Sequence, residues 1–301
     1  MTIFTPSYNR AYILPKLYES LLTQKDANFE WVIVDDGSVD DTEKLVDSWL
    51  KENRIRIAYK KQKNQGKHIA INTGVAMAKG ELFFIVDSDD KLTQDAVYMV
   101  RRFWELNVND NNIAGIISYR VFPNGCLVGT KMPESVSKCK LRETRSVYGS
   151  TGDKVVIYRT EIMKEHPYPQ FEGERFFGES YVFNQIDDKY DMAFMHQGIY
   201  IFDYQTDGLS QDFRKLYRNN PKGMRFSMQN DIRYQNGFIA KLKTVSHVAC
   251  LSMYLGDLQT YLRNVPFLYI IPGFLLGLAL YHKIFVRKVS DVKPFVESEN
   301  K

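Results

Sequence analysis

Short apolar runs alternate with amphipathic stretches through the first hundred residues of this 301-residue chain. Met1–Thr5, Trp31–Val34, Ile55–Tyr59 and Leu82–Val86 are rich in β-branched and aromatic side chains and short enough to predict strands. Between them, Ile13, Leu14, Leu17, Leu21 and Leu22 recur at helical spacing over Ala11–Thr23, and Leu45, Val46, Trp49 and Leu50 do so over Asp41–Lys51. Lys67–Ala78 and Thr93–Leu106 predict two more helices. Such β-α alternation predicts an α/β fold, a mostly parallel central sheet with helices on both faces. From Gly115 to Ile157 the pattern shortens and becomes β-like, punctuated by Pro and Gly. After about Asn236 a helix over Phe238–Leu262 leads into an apolar run, which predicts a helical C-terminal extension. Three regions follow, 1–110, 111–236 and 237–301, without an internal repeat or low-complexity linker.

Composition adds limits. With 44% hydrophobic and 25% charged residues the chain is long enough to bury a full core. The formal charge of +4 comes from Lys and Arg spread along the chain, which argues against nucleic acid as a partner. Cys126, Cys139 and Cys250 are odd in number and lack metal-ligand spacing, so reduced thiols in a cytoplasmic protein are expected. A strand-like start with polar residues after it predicts no signal peptide. Val265–Tyr281 carries no charge, lies between Arg263 and Lys283, Arg287 and Lys288, and is broken by Pro266, Pro272, Gly273 and Gly277. At the lower length limit for a bilayer span, it reads as an interfacial or re-entrant membrane anchor, with a buried helix and a true span as the alternatives.

The chemistry concentrates where strands end. Asp87-Ser88-Asp89-Asp90 follows Leu82–Val86 directly, where open α/β sheets place their ligands. Two carboxylates about 5 Å apart repel by roughly 3 kcal/mol at an effective dielectric near 20, so the cluster calls for a positive partner. A hard divalent cation carrying a phosphate answers that need. Thr5-Pro6-Ser7-Tyr8-Asn9-Arg10 follows strand one and suits the floor of a pocket for a flat ring, though alone it is an ordinary turn. Asp35-Asp36-Gly37-Ser38 ends strand two; helix capping explains one of the nearby acids, while the pair suits hydrogen bonds from a base or a ribose. Asn64-Gln65-Gly66-Lys67 opens a helix and offers a phosphate both its N-terminus and an ammonium, without the spacing of an ATP or GTP P-loop.

In order, T-P-S-Y-N-R, V-D-D-G-S-x-D-D-T, N-Q-G-K-x-x-A-x-N-x-G and A-K-G-E-L-F-F-I-V-D-S-D-D resemble the family 2 glycosyltransferases over Met1–Tyr98. The resemblance implies a GT-A-type nucleotide-diphospho-sugar transferase fold, a nucleotide-sugar donor (UDP-sugar foremost), Mg²⁺ or Mn²⁺, and displacement with inversion. It places Thr5, Pro6 and Tyr8 against the nucleobase, Asp36 at the base or ribose, and Lys67 near the base or diphosphate. Asp87 would approach the ribose with Ser88 beside it, and Asp89 would be the main metal ligand with Asp90 adjacent. Region 1–110 would then bind the donor and 111–236 the acceptor and catalytic base. For the base, Glu179 in Gly173-Glu174-Arg175-Phe176-Phe177-Gly178-Glu179-Ser180 matches best; Glu174 is the other candidate, and Ser180 stands where relatives often have Asp. Asp207-Gly208-Leu209-Ser210-Gln211, with Arg214, Lys215 and Arg218 after it, resembles a segment that folds over the diphosphate. The acceptor expected is a polyprenyl-linked or growing surface glycan at the inner face of the cell membrane. Two rivals stand beside this reading. Asp87-x-Asp89 also opens a haloacid-dehalogenase-type phosphatase motif, which fails at Lys91, and a non-catalytic nucleotide-sugar-binding protein would keep the same fold.

Overall fold

The computed structural model describes residues 1–203 and 213–286. The chain divides into two units, Met1–Leu209 and Ser210–Lys301. In the first, the elements run β1 (Thr2–Ser7), α1 (Leu14–Leu22), β2 (Glu30–Asp35), α2 (Thr42–Glu52), β3 (Ile57–Lys61), α3 (Lys67–Met77), β4 (Leu82–Ile85), β5 (Lys91–Leu92), α4 (Ala96–Glu105), β6 (Ile113–Val121), β7 (Lys138–Cys139), α5 (Glu143–Ser146), β8 (Lys154–Arg159), α6 (Thr160–Glu165), α7 (Ser180–Lys189) and β9 (Asp191–Ile201). The strands share one sheet in the order β3-β2-β1-β4-β8-β6-β9-β5, with β7 on β9. The first four strands are mutually parallel, and β8 enters antiparallel between β4 and β6. One sheet therefore runs through the expected halves 1–110 and 111–236.

Apolar runs become the central strands because both faces are covered. Ile3, Phe4, Trp31–Val34, Phe83 and Phe84 are fully buried. On one face Trp31, Trp49 and Tyr18 stack, Tyr18 lying 4.3 Å from Trp49 and Trp31 5.6 Å from Trp49. On the other, Phe4 stacks on Phe83 at 5.1 Å. Gly74 of α3 rests on that pair, since a Cβ there would lie 2.1 Å from the Phe4 ring. This close approach sets the height of α3, and so of its first residue, Lys67, above the sheet.

Several boundaries move for local reasons. α1 starts at Leu14, later than Ala11, with Pro15 in its first turn, where the missing N–H costs nothing. α2 ends at Asn53 in a left-handed conformation (φ 52°). Between β6 and β8 the expected short strands are largely irregular chain carrying only β7 and α5.

The second unit is helical: α8 (Phe213–Asn219), α9 (Pro221–Asp231), a 3₁₀ turn (Ile232–Tyr234), α10 (Phe238–Tyr254), α11 (Leu258–Asn264), α12 (Phe267–Tyr281) and a closing π turn (His282–Val286). The single helix expected over Phe238–Leu262 is two. Gly256 (φ 67°) breaks it, and Asp257 recaps the chain by accepting the Thr260 N–H at 3.1 Å. Ile232, Val245, Val248, Ala249, Tyr261 and Val265 form its core.

Candidate active site

Register brings the motifs together. Thr2 pairs with Phe83 and Ser7 with Asp35, so β1, β2 and β4 end on one edge, and the Tyr8–Tyr12, Asp36–Asp41 and Asp87–Asp90 loops leave from it. Asn9 knits two of these loops. Its N–H donates to Ser38 Oγ at 2.8 Å and its side-chain oxygen accepts from Val39 N at 2.9 Å, a double tie that accompanies its left-handed backbone (φ 54°). Pro6 is half-buried and Tyr8 half-exposed on this rim. Thr5 is not on it. Its hydroxyl is fully buried and accepts the Trp31 indole N–H at 2.9 Å, so its side chain is a core group rather than a pocket wall.

Asp36 is buried, and its carboxylate organises the neighbouring loop. One oxygen accepts from Gln62 Nε2 at 2.8 Å and Gln65 N at 2.9 Å, the other from Gly66 N at 2.7 Å. A carboxylate oxygen has two lone pairs, so the second oxygen retains room for one more donor, such as an imide or hydroxyl. Asp35 instead holds its own turn, accepting from Ser38 N at 2.7 Å and Tyr59 Oη at 2.9 Å. Gly66 needs its φ of 95°, and no side chain fits there, because a Cβ would stand 1.9 Å from the Arg175 carbonyl oxygen. The loop carrying Glu174 and Arg175 is thus pressed against the start of α3.

That contact explains how Glu179 arrives. It occupies the N-cap position of α7, without a capping hydrogen bond from its side chain. Lys67 Nζ lies 2.9 Å from Glu179 Oε1 and 2.8 Å from Asp87 Oδ1, linking three residues far apart in the chain. Burial raises the Asp87 carboxyl, but Lys67 in contact and Arg120 and Arg10 nearby outweigh it and hold the group below its ordinary range. Asp89 moves the other way, raised by burial and by the Asp87 charge. Asp90, buried, is pushed up to about 6 chiefly by desolvation. Both its oxygens are engaged, one by Tyr200 Oη at 2.6 Å and the other by Asp203 N at 3.1 Å. Ser88 is buried in the same turn. Glu174 is also buried.

Sequence reading missed Tyr200 and Arg120. The Tyr200 oxygen accepts the Asp87 N–H at 3.1 Å while its proton goes to Asp90, so one phenol fixes the acidic turn. Arg120 lies 4.6 Å over the Tyr200 ring and 3.9 Å from Asp90. They come from β9 and β6, and no spacing in the chain announces them.

A divalent cation fits the donor set. Asp89 offers hard carboxylate oxygens, and its ionisation is opposed first by burial and then by the Asp87 charge, both of which a bound cation would offset. Arg120 Nε, buried without a hydrogen-bond partner among the described residues, belongs to a cationic donor and is no metal ligand; it suits an anion such as a phosphate instead. No group of three or more metal-ligating side chains occurs among the described residues, so substrate oxygens or water would have to complete the shell. Asp207-Gly208-Leu209-Ser210-Gln211 lies outside the described residues; Arg214, Lys215 and Arg218 belong to α8.

Comparison with known proteins supplies the context. The family description "Glycosyl transferase family 2" matches residues 2–162, more than half of the 301 residues. A Campylobacter jejuni protein named GalNAc(5)-diNAcBac-PP-undecaprenol beta-1,3-glucosyltransferase is 31% identical over 98 residues, 32% of this chain and 32% of its own length. In eight of the most similar curated relatives the matched segment spans between 14% and 38% of their own length, so this chain covers well under two thirds of each. Among solved structures, S. aureus TarS 1-349 in complex with UDP-GlcNAc aligns with a TM-score of 0.67 at 17% identity, covering 94% of this chain and 89% of that one. Mannosyltransferase PcManGT from Pyrobaculum calidifontis in complex with GDP-Man and Mn²⁺ aligns at 0.54 and 15% identity, covering 92% and 86%. At such identities the likeness establishes the fold, which is of GT-A type with a helical C-terminal region.

Proposed function

This chain belongs to glycosyl transferase family 2, and we propose that it moves one sugar from a nucleotide-diphosphate donor, foremost a UDP-sugar, to a glycan hydroxyl with inversion. The observation that carries this is the Lys67 bridge, which gathers Asp87 from the donor edge and Glu179 from the α7 start around one ammonium. Residues 1–110 supply the donor half and 111–236 the acceptor half of this division of labour. Pro6 and Tyr8 offer the nucleobase a surface, and Asp36 offers it the remaining lone pair. Lys67 and Asp87 lie toward the ribose and diphosphate, with Ser88 in the same turn.

Chemically, the acceptor oxygen forms a bond to the anomeric carbon as the bond to the diphosphate oxygen breaks on the opposite face. The hydroxyl proton passes to Glu179, and the nucleoside diphosphate leaves with the electron pair. Asp89, with Asp87 at its side, would hold Mg²⁺ or Mn²⁺, which when bound neutralises charge on the diphosphate. Lys67 must first be drawn from Glu179 toward the incoming phosphates, because a carboxylate held by an ammonium is a poor proton acceptor. Support for a UDP-sugar comes from the TarS complex; the GDP-mannose complex makes GDP-sugars the competing donors. The undecaprenol-linked acceptor in the Campylobacter protein's name supports a polyprenyl-linked or surface glycan, with this chain working at the inner face of the cell membrane. The family match leaves the phosphatase rival without support.

Two measurements test the reading together. Calorimetric titration with UDP, with and without Mn²⁺, should show metal-dependent binding that Asp89→Ala abolishes. Glu179→Gln should keep UDP binding and lose transfer by at least about 100-fold, the usual scale for a lost general base. Unchanged transfer in Glu179→Gln would move the base to Glu174, and failure of UDP, GDP and dTDP alike to bind would end the donor reading.

A further inference from the structure

The helical unit carries an apolar face that its own packing does not use. From Phe267 to Tyr281, α12 has no charged residue. Two glycines decide which side faces inward. A Cβ on Gly273 would lie 2.3 Å from Val245 Cγ1, and one on Gly277 2.6 Å from Ala249 Cβ and 2.8 Å from the Ser246 carbonyl oxygen. With the Phe238–Tyr269 stack at 5.0 Å and the Tyr254–Phe285 stack at 4.0 Å, these contacts run in the same sense along both segments. α10 and α12 therefore lie side by side and parallel. On the far side of α12, Phe267, Leu268, Ile271, Leu275 and Leu278 recur at one helical face, all at least half exposed, Phe267 at 91%. Phe238 and Ile239, exposed at the start of α10, extend the patch beside Tyr269.

Charge identifies the occupant. From Leu258 to Ser290 the sequence has no Asp or Glu, while it holds Arg263, Lys283, Arg287 and Lys288. Arg263 and Lys283, the two within the described residues, are exposed just beyond the two ends of α12. An apolar face bounded by cations alone is complementary to anionic headgroups over acyl chains. Helix packing decides the mode. To cross the bilayer, α12 would either leave α10 or carry it along, and α10 bears Lys241 and Lys243. We propose that α12 lies in the plane of an anionic lipid surface, its Phe267, Leu268, Ile271, Leu275 and Leu278 face inserted and its Gly273–Gly277 face kept against α10. This deepens the membrane reading above and rests on none of its catalytic assignments.

The test sediments the full chain with vesicles of phosphatidylglycerol and phosphatidylcholine, and with phosphatidylcholine alone, in the absence of donor, metal and acceptor. The wild type should partition to the anionic vesicles and be released by salt or by alkaline carbonate. The double variant Ile271→Glu, Leu275→Glu should partition at least ~10-fold less, given two lipid-inserting aliphatic side chains replaced by charges. Phe267→Ser, at an exposed helix start, gives a milder version if the double variant melts early. Because UDP binding is read separately, loss of vesicle binding and failure of the transferase reading are distinguishable. A wild type that stays in the supernatant, or a folded double variant that partitions unchanged, overturns the proposal. So do resistance to carbonate extraction, which means a span, and a dimer in light scattering that the double variant abolishes, which means a second copy covers the face.

Discussion

Asp36→Asn tests how the proposed donor site is held together. The Asp36 carboxylate accepts three N–H groups, from Gln62, Gln65 and Gly66. An asparagine puts an NH₂ in place of one oxygen, so whichever way it turns, donor faces donor at one or two of those contacts. Gln62 can turn its amide to compensate only if the Thr73 hydroxyl, which now donates to its oxygen at 2.7 Å, gives up that bond and accepts instead. Gly66 cannot retreat, with the Arg175 carbonyl against it. A buried hydrogen bond to a charged group contributes about 1.5–3 kcal/mol, and the surviving bonds lose their charge assistance. The expected cost is about 2–4 kcal/mol, which a domain of this size survives with a melting temperature lower by roughly 5–15 °C. Since Gly66 N leads directly into Lys67, UDP affinity at a temperature where both proteins are folded should fall more than ~10-fold, about 1.4 kcal/mol of that loss appearing in binding. Asp35→Asn is the control: it also breaks a buried acceptor, but its partners, Ser38 N and Tyr59 Oη, do not lead to Lys67. Differential scanning calorimetry and UDP titration of both variants decide the matter. Equal losses of UDP affinity in the two, or an unshifted melt in Asp36→Asn, would refute the anchoring argument.

Lys67→Met removes the cation between Asp87 and Glu179 while keeping the side chain's length; donor turnover should drop at least ~100-fold in steady-state kinetics, and turnover near wild type would remove Lys67 from the chemistry. Gly66→Ala must open its contact with Arg175 by more than about 1 Å and strain the backbone, at a cost of about 1–3 kcal/mol in denaturant unfolding, with kcat falling as Glu179 is displaced. His68 is buried, its Nδ1 unpartnered among the described residues, and burial lowers its pKa from 6.5 to about 4. The unfolded chain therefore takes up the proton first as pH falls, so stability present above pH 6.5 is lost on the way to pH 4, up to about 3 kcal/mol. Urea unfolding across that range should show a loss in wild type that His68→Leu lacks, and parallel curves for the two would contradict it.

Legibility differed between the two halves of the site. The acids and Lys67 assigned to the proposed donor side lie at strand ends and a helix start, places where the alternation of apolar and polar residues already says what the backbone does. Glu179 was legible as a candidate, since an acid ahead of a helix leaves a local trace, but its partnership with Lys67 was not. Thr5 shows the opposite failure. It sits in the right motif, yet the alternation of side chains along β1 turns it toward Trp31, and only the packing of α1 and α2 on that face reveals the indole waiting for it. The split of the expected Phe238–Leu262 helix was readable in principle from Gly256-Asp257, a glycine followed by a capping acid.

The order of strands and helices, the apolar segments that must be buried and the acid clusters between them are properties of the chain alone, because they depend on side-chain periodicity and local backbone preference. Which groups meet is another matter. Tyr200 reaches the Asp87–Asp90 turn because β9 joins the sheet beyond β6, and Lys67 reaches Glu179 because Gly66 lets the Arg175 backbone close on α3. Which face of α12 remains exposed depends on Gly273 and Gly277 meeting α10. Each of these rests on contacts between residues distant in sequence, whose strength comes from burial and geometry that no local pattern encodes, and so tertiary structure alone decides them.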